Sequence, residues 1–483
     1  MKKPSDSPSG DAMPRLVVDL DGTLIKSDLL VESALAVLKQ NPTLLLSMPR
    51  WLARGKATLK EEFAVRARID AASLPYNQEL LDFLASRADQ GQELILATAS
   101  DRRHADAVAE HLGCFTHVLA SDGRNNLSGA RKLEALTTEL QPREYSYVGN
   151  GRADLPLWEK AREVVVVDPE PGVLAGLRRL GREPDHLIRG RRPYWHSVLR
   201  LLRPHQWLKN VLVFVPMIAA HQWFDWQGWA RLMLLFWAFC LTASGVYVAN
   251  DLVDLEADRR HPRKRSRPFA AGDVPLLNGL FLAPVLVLCG LAMAFFLSPE
   301  TGLLMLAYAM TNAAYSLYLK RLVVVDVFVL AGLYTLRVLA GASAAYIVPS
   351  FWLMAFCMLL FLSLAFVKRG AELRAMLAAN RLGAAGRGYQ VGDLVVIQAM
   401  GIAGGYLSAL VLALYINSTD VVGRYSMPQG LWVVCVILLL WCSRLWVKVG
   451  RGDMHDDPLV FAVTDRGSLI LALAACVAIV ASL

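Results

Sequence analysis

The chain has 483 residues, enough for two or three domains; its formal net charge is +8, and 55% of its residues are hydrophobic. The charge is unevenly spread: roughly the first 195 residues read as a soluble α/β protein and the rest as membrane, with the surplus Lys and Arg in short loops between apolar segments. That distribution suits membrane orientation and anionic substrates, and it speaks against nucleic acid, because no basic surface interleaved with aromatics is present. The seven cysteines, Cys114, Cys240, Cys289, Cys357, Cys435, Cys442 and Cys476, show neither metal-ligand spacing nor a disulfide framework. The N-terminus is polar and has no apolar signal core, so residues 1–14 are expected to be disordered and the first domain cytoplasmic.

Leu16-Val17-Val18 reads as a buried strand ending in Asp19-Leu20-Asp21-Gly22-Thr23. Two acids and a glycine turn at a strand end are a phosphoryl-transfer signature. The first acid can attack phosphorus and hold Mg²⁺, and the second can act as general acid and base. Residues 27–85 read as helices broken at Pro42 and Pro75. Leu44, Leu45, Leu46, Met48, Trp51 and Leu52 there alternate with Arg50, Arg54, Lys56 and Lys60, a composition open to ordinary packing or to a membrane surface. A second strand, Leu94-Ile95-Leu96-Ala97, ends at Thr98 with Ser100 close by. Lys132 follows Gly129-Ala130-Arg131, and a third strand, Tyr145-Ser146-Tyr147-Val148, leads into Gly149-Asn150-Gly151-Arg152-Ala153-Asp154.

These four motifs, in this order, resemble the haloacid dehalogenase-like phosphatase superfamily across residues 15–180. The resemblance implies an α/β Rossmann-like domain with a helical cap at about residues 27–85. It implies Asp19 as nucleophile, Asp21 as acid/base, Thr98 as a phosphoryl hydrogen-bond donor and Lys132 as the neutralising cation. Asp19, Asp21 and Asp154 would bind Mg²⁺. One departure stands out: the acid that usually follows the first glycine of the last motif is Asn150. Asp168-Pro169 is read as ending the last strand, with a basic helical linker over residues 181–200.

From about residue 208 onward, about nine apolar segments, at 208–224, 229–249, 277–297, 301–319, 323–346, 350–367, 394–416, 429–447 and 467–483, are mostly long enough to cross hydrocarbon. Basic loops follow the second, fourth, sixth and eighth. Positive-inside orientation therefore puts those loops and the N-terminal domain in the cytoplasm of a multi-pass protein of the inner (plasma) membrane. The second segment runs into Asn250-Asp251-Leu252-Val253-Asp254-Leu255-Glu256-Ala257-Asp258. Acids at i, i+3 and i+7 share a helix face, and Asn250 lies one turn before Asp254. Carboxylates clustered at a membrane exit call for a cation, and oxygen-only ligands suit Mg²⁺ shared with a substrate phosphate. Arg263, Lys264, Arg265 and Arg267 follow at once, supplying cations for a diphosphate.

Tyr315, Lys320, Arg321 and Asp326 around the next motif loop, together with this aspartate motif, resemble the UbiA superfamily of intramembrane prenyltransferases across residues 201–483. The second loop holds only Asp326 where two spaced acids are usual. The motifs at residues 203–210, 254–262, 368–373 and 455–458 are similar to one branch, the polyprenyl-phosphate phosphoribosyltransferases, of the decaprenyl-phosphate phosphoribosyltransferase kind. The resemblance implies an all-α polytopic domain that moves 5-phosphoribose from phosphoribosyl pyrophosphate to a polyprenyl phosphate for cell-wall biosynthesis. Asn250, Asp251, Asp254 and Asp258 would hold Mg²⁺ on the donor. Lys209, Asn210, Arg263, Lys264, Arg267, Tyr315, Lys320 and Asp326 would line the donor site. Lys368, Arg369 and Arg337 would meet the acceptor phosphate. The soluble domain would then remove the 5-phosphate of the product. The alternative is an ordinary prenyltransferase that moves an isoprenyl chain from its diphosphate to an aromatic or other acceptor, with an inactive or regulatory phosphatase-like domain. Oligomeric state is left open, a homo-oligomer included.

Overall fold

A computed structural model describes residues 13–123, 125–139, 144–379, 388–418, 425–454 and 457–482. The expected disorder of the N-terminus, and His455 and Asp456 of the last motif, lie outside them. The chain divides into two compact units, Met1–Leu202 with Val248–Leu282, and Arg203–Tyr247 with Ala283–Leu483.

In the first unit, six parallel strands form one sheet in the order β3-β2-β1-β4-β5-β6. The strands are β1 Arg15–Val18, β2 Leu94–Asp101, β3 His117–Ser121, β4 Tyr145–Gly149, β5 Val164–Val167 and β6 His186–Ile188. Side chains alternate between faces with period two. Leu16, Val18, Leu94 and Leu96 enter one core, and Val17, Ile95 and Tyr147 enter the other. Both faces are covered, as a parallel sheet requires. The stretch expected to be a linker carries β6, which pairs with β5 through Val166 and Leu187, followed by the helix Tyr194–Leu202. A three-residue edge strand in an Arg- and Pro-rich stretch is too short to show a period.

The cap begins with α1 (Leu29–Gln40), whose N-cap Asp28 accepts from the amides of Leu30 and Val31. Two shorter helices, Met48–Ala53 and Lys56–Arg66, complete a small separate core of Val37, Trp51, Phe63 and Ala67. Trp51 therefore belongs to cap packing, while Leu46 and Leu52 are exposed.

Elsewhere the chain is helical. Among the described residues, six helices are long and apolar enough to cross a membrane: Trp226–Val253, Leu276–Leu297, Val325–Ala344, Phe351–Ala378, Val391–Ile416 and Pro428–Arg451. A seventh span counts only if Pro458–Thr464 and Arg466–Ser482, bent by 78°, are taken as one. The expected nine is thus six or seven by length and composition. The first expected segment folds as a 3₁₀ stretch, Pro204–Phe214, and a five-residue helix carrying Pro216. The fourth, Pro299–Leu317, is helical but is diluted by Glu300, Thr301, Thr311, Asn312 and Ser316.

Helix Val325–Ala344 meets the 3₁₀ stretch at Gly341, where an added Cβ would lie 2.0 Å from the Val213 carbonyl oxygen. Backbone cannot give way as a flexible side chain can. Gly341→Ala is expected to destabilise the protein by about 1–3 kcal/mol, read as a lower thermal midpoint in detergent. Ala340→Gly, on the same helix, supplies the comparison for a change without a clash.

Candidate functional site

The C-terminal ends of β1, β2 and β4 bring three of the four motifs together, where open α/β sheets bind ligands, and Lys132 joins them from the helix Ala130–Glu139. Asp19, buried, accepts from Lys132 Nζ at 2.6 Å and from Thr23 Oγ1 at 3.2 Å. Lys132 Nζ also donates to the Tyr147 hydroxyl, which donates to Asp154 at 2.8 Å. Burial works against the Lys132 ammonium, but Asp19 and Asp154 outweigh it and raise its pKa. Asp21 accepts from the Leu29 amide at 2.8 Å, from Ser100 Oγ at 2.5 Å and from Thr98 Oγ1 at 3.5 Å. Burial, with the Asp28 charge behind it, pushes the Asp21 carboxyl up to about 7. Gly22 has φ +77°, and a Cβ there would meet the Asn150 amide nitrogen at 2.4 Å, so the turn and Asn150 interlock. Asn150 Oδ1 accepts from Thr23. Asp154 has both oxygens engaged, by Tyr147 and by the amides of Asn150 and Gly151. The oxygen set of Asp19, Asn150 and Asp154 suits Mg²⁺ in type, with one carboxylate fewer than the superfamily pattern.

The same unit carries the aspartate-rich segment. Helix Trp226–Val253 ends beside Asp254, the N-cap of a short helix, Leu255–Arg260. Backbone bonds from Asp254 to Asn250 and from Asp258 to Asp254 keep the helical phase across the break. Asp251 and Asp258, two turns apart, therefore share a face as their spacing demands. Both are buried, and one guanidinium nitrogen of Arg267 reaches both, at 3.1 and 2.5 Å. Lys264 Nζ is 3.9 Å from Asp258. Asn250 and Asp254 are partly exposed, and the Arg263 side chain is exposed. Among the described residues, no group of three or more acid, His or Cys side chains is set to hold a metal. Of the three acids, Asp251 and Asp258 are the two that Arg267 brings together. Two convergent carboxylates still suit Mg²⁺, which commonly takes one or two and fills its shell with water and substrate phosphate.

In the second unit, Lys209 Nζ lies 2.5 Å from Asp457 and donates to Gln206. Asn210 accepts from Arg337 Nε at 3.0 Å. Arg337 also donates to the Tyr308 hydroxyl and the Leu333 carbonyl, and it lies over the Tyr308 ring. Arg369 and Asp326 pair at 2.5 Å with almost no exposure. Arg369 further engages Glu372 and the Tyr315 hydroxyl. The Tyr389 hydroxyl donates to Asp326 at 2.5 Å and accepts from the Val324 amide, at a residue with φ +68°. Arg337 and Arg369 are therefore committed to protein partners. Lys368 makes no hydrogen bond or ion pair among the described residues, yet it feels the charges of Lys209, Arg369, Glu372 and Asp457. Lys320 is partly exposed at its loop.

Sequence reading quoted Tyr147 and Lys60 without giving them a site role, and it did not single out Tyr308 or Tyr389. Lys60, in the cap, donates to the Ala99 carbonyl and to Asn126. Thr23 stood inside a quoted motif, and Asp457 and Glu372 inside two others. Tyr389 had no signal, being 63 residues from Asp326.

Residues 211–464 match the UbiA prenyltransferase family, and residues 16–159 match the haloacid dehalogenase-like hydrolases. Protein y4nM of Sinorhizobium fredii is 36% identical over 464 residues, covering 94% of this chain and 88% of its own length. Nodulation protein NoeC of Azorhizobium caulinodans is 38% identical over 275 residues, 56% of this chain and 88% of NoeC. Decaprenyl-phosphate phosphoribosyltransferase of Mycobacterium tuberculosis is 39% identical over 206 residues, 42% of this chain and 65% of that protein.

Tyr389→Phe removes a donor from a buried carboxylate and an acceptor from the Val324 amide. The expected cost is about 1–3 kcal/mol, measured by thermal unfolding in detergent against Tyr406→Phe, whose hydroxyl is bonded to Ser443 at an exposed position.

Proposed function

Because the chain belongs to the UbiA prenyltransferase family and is an integral membrane protein with an N-terminal haloacid dehalogenase-like domain, we propose that it transfers 5-phosphoribose from phosphoribosyl pyrophosphate to a polyprenyl phosphate and then removes the 5-phosphate. The observation that carries the choice of donor is the Arg369–Asp326 pair. The one acid of the second motif loop is neutralised by a buried guanidinium, so it is a poor metal ligand for the prenyl diphosphate of an ordinary family reaction. The similarity to decaprenyl-phosphate phosphoribosyltransferase supports the same choice.

In this reading Asp251 and Asp258, with Asp254 and Asn250 beside them, would hold Mg²⁺ for the donor pyrophosphate. The metal would supply positive charge to the leaving group as its bond to C1 breaks. Arg263, Lys264 and Arg267 contact the departing phosphates. Within the second unit, Lys368 is the cation offered for an acceptor phosphate, with Lys320 at its own loop and Lys209 paired with Asp457. Arg337 orients Asn210, and Arg369 orients Tyr315. An acceptor phosphate oxygen bonds to C1 and the pyrophosphate departs. No strong base is needed, because the phosphate is already an anion.

In the soluble domain Asp19 attacks phosphorus at the 5-position, and Asp21 gives its proton to the leaving ribose oxygen. Water then opens the aspartyl-phosphate with Asp21 as base. A carboxyl held near neutrality suits both roles. Lys132 neutralises Asp19 and the incoming phosphoryl group, and Thr98 orients Asp21. Fusion raises the effective concentration of one site for the other's product. The basic motif loops favour an inner-membrane protein with this domain in the cytoplasm.

With Mg²⁺, labelled phosphoribosyl pyrophosphate and decaprenyl phosphate, purified protein is expected to form first a phosphoribosyl lipid and then a ribosyl lipid. Asp258→Asn is expected to slow transfer about 100-fold or more. Asp19→Asn is expected to leave transfer intact and stop the chain of products at the phosphoribosyl lipid. Turnover of labelled prenyl diphosphate instead would refute the donor assignment; a full yield of ribosyl lipid with Asp19→Asn would refute the tandem step.

A further inference from the structure

Cap helix α1 makes contacts that the phosphatase chemistry does not use. Its first amide, from Leu29, is bonded to Asp21. One turn on, Glu32 forms a two-pronged pair with Arg259, NH1 to Oε2 at 2.9 Å and NH2 to Oε1 at 2.6 Å, both side chains about 94% buried, at 6% and 7% exposed. Arg259 Nε is bonded to the Ala270 carbonyl. In the last turn of α1, Lys39 Nζ donates to the Val253 carbonyl at 2.8 Å. Val253 and Arg259 flank the break at Asp254, so one helix of the cap grips the aspartate-rich segment on both sides of its bend. Asp258, adjacent to Arg259, is one of the two carboxylates joined by Arg267.

A planar fork meeting a carboxylate in two parallel bonds fixes direction as well as distance. Buried, it cannot be exchanged for water without leaving a bare charge. A further contact of the short helix with the soluble part, Arg260 with Asp70, is exposed and of the kind that contributes little.

We infer that Glu32, through Arg259, is a positioning residue of the transferase: the phosphatase-like cap sets the turn at Asp254 and thereby aims Asp251 and Asp258 at the donor pyrophosphate. The soluble domain is then part of the transfer machinery as well as the domain for the second step. This inference rests on the proposed donor reaction.

The test uses the full-length protein in detergent, with Glu32→Gln as the variant, because it keeps the shape and removes the charge. Partners that orient metal ligands are worth about 10- to 100-fold in affinity or activity. The KM for phosphoribosyl pyrophosphate is expected to rise about tenfold while the KM for decaprenyl phosphate stays unchanged. Amide deuterium uptake is expected to rise across residues 253–260 and not in β1–β5. Arg260→Ala is expected to change neither. The exchanged pair, Glu32→Arg with Arg259→Glu, is expected to recover part of the loss. Glu32→Gln with unchanged donor KM and unchanged uptake, in a preparation whose wild type turns over phosphoribosyl pyrophosphate, overturns the inference. Equal rises in both KM values overturn it too, since they mark general loosening. If the wild type does not turn over that donor, the donor reading fails instead, and deuterium uptake alone decides whether Glu32 holds the segment.

Discussion

A carboxylate taken out of water needs a cation or a set of hydrogen-bond donors where it stands, and this chain buries many of them. Asp19 has Lys132, Asp326 has Arg369, Glu32 has Arg259, and Asp251 and Asp258 share Arg267. Two of these pairs tie together pieces of chain far apart in sequence: 113 residues for Asp19 and Lys132, 227 for Glu32 and Arg259. Removing either partner leaves the other charged and dry, so these pairs hold the relative placement of the motifs more stringently than apolar contact can. The parallel sheet and the helices supply the surroundings in which such pairing is compulsory.

The same constraint separates ligands from supports. Arg337 and Arg369 each commit three guanidinium bonds to protein partners, among them Asn210, Tyr308, Asp326, Glu372 and Tyr315. Lys368 makes no such commitment among the described residues, and a cation of that kind is what an incoming anion needs. Arg267 occupies a third category. It neutralises two carboxylates in a position where a divalent ion would compete with it.

The phosphatase-like site was largely legible from the chain. Three of its four motifs follow strands, and strands in a parallel sheet deliver their C-terminal ends to one edge, so order in sequence became proximity in space for Asp19, Thr98 and Asp154, while Lys132 reaches them from the helix Ala130–Glu139. The sixth strand escaped notice because three residues, His186, Leu187 and Ile188, are too few to show alternation. Apolar composition also does not distinguish a spanning helix from the 3₁₀ stretch at residues 204–214.

By itself the sequence determined the face shared by Asp251 and Asp258 and the residue types of each site, because strand and helix periodicity are local properties of the backbone; that Val248–Leu282 groups with the N-terminal residues in one compact unit was not local information. Only the tertiary structure decided which charge neutralises which. Ion pairing depends on where burial removes water, and burial belongs to the packed chain rather than to any segment of it. That is why Asp326 proves to be paired with Arg369 and Tyr389, why Arg267 joins Asp251 to Asp258, and why Glu32, an unremarked acid in a cap helix, turns out to hold Arg259.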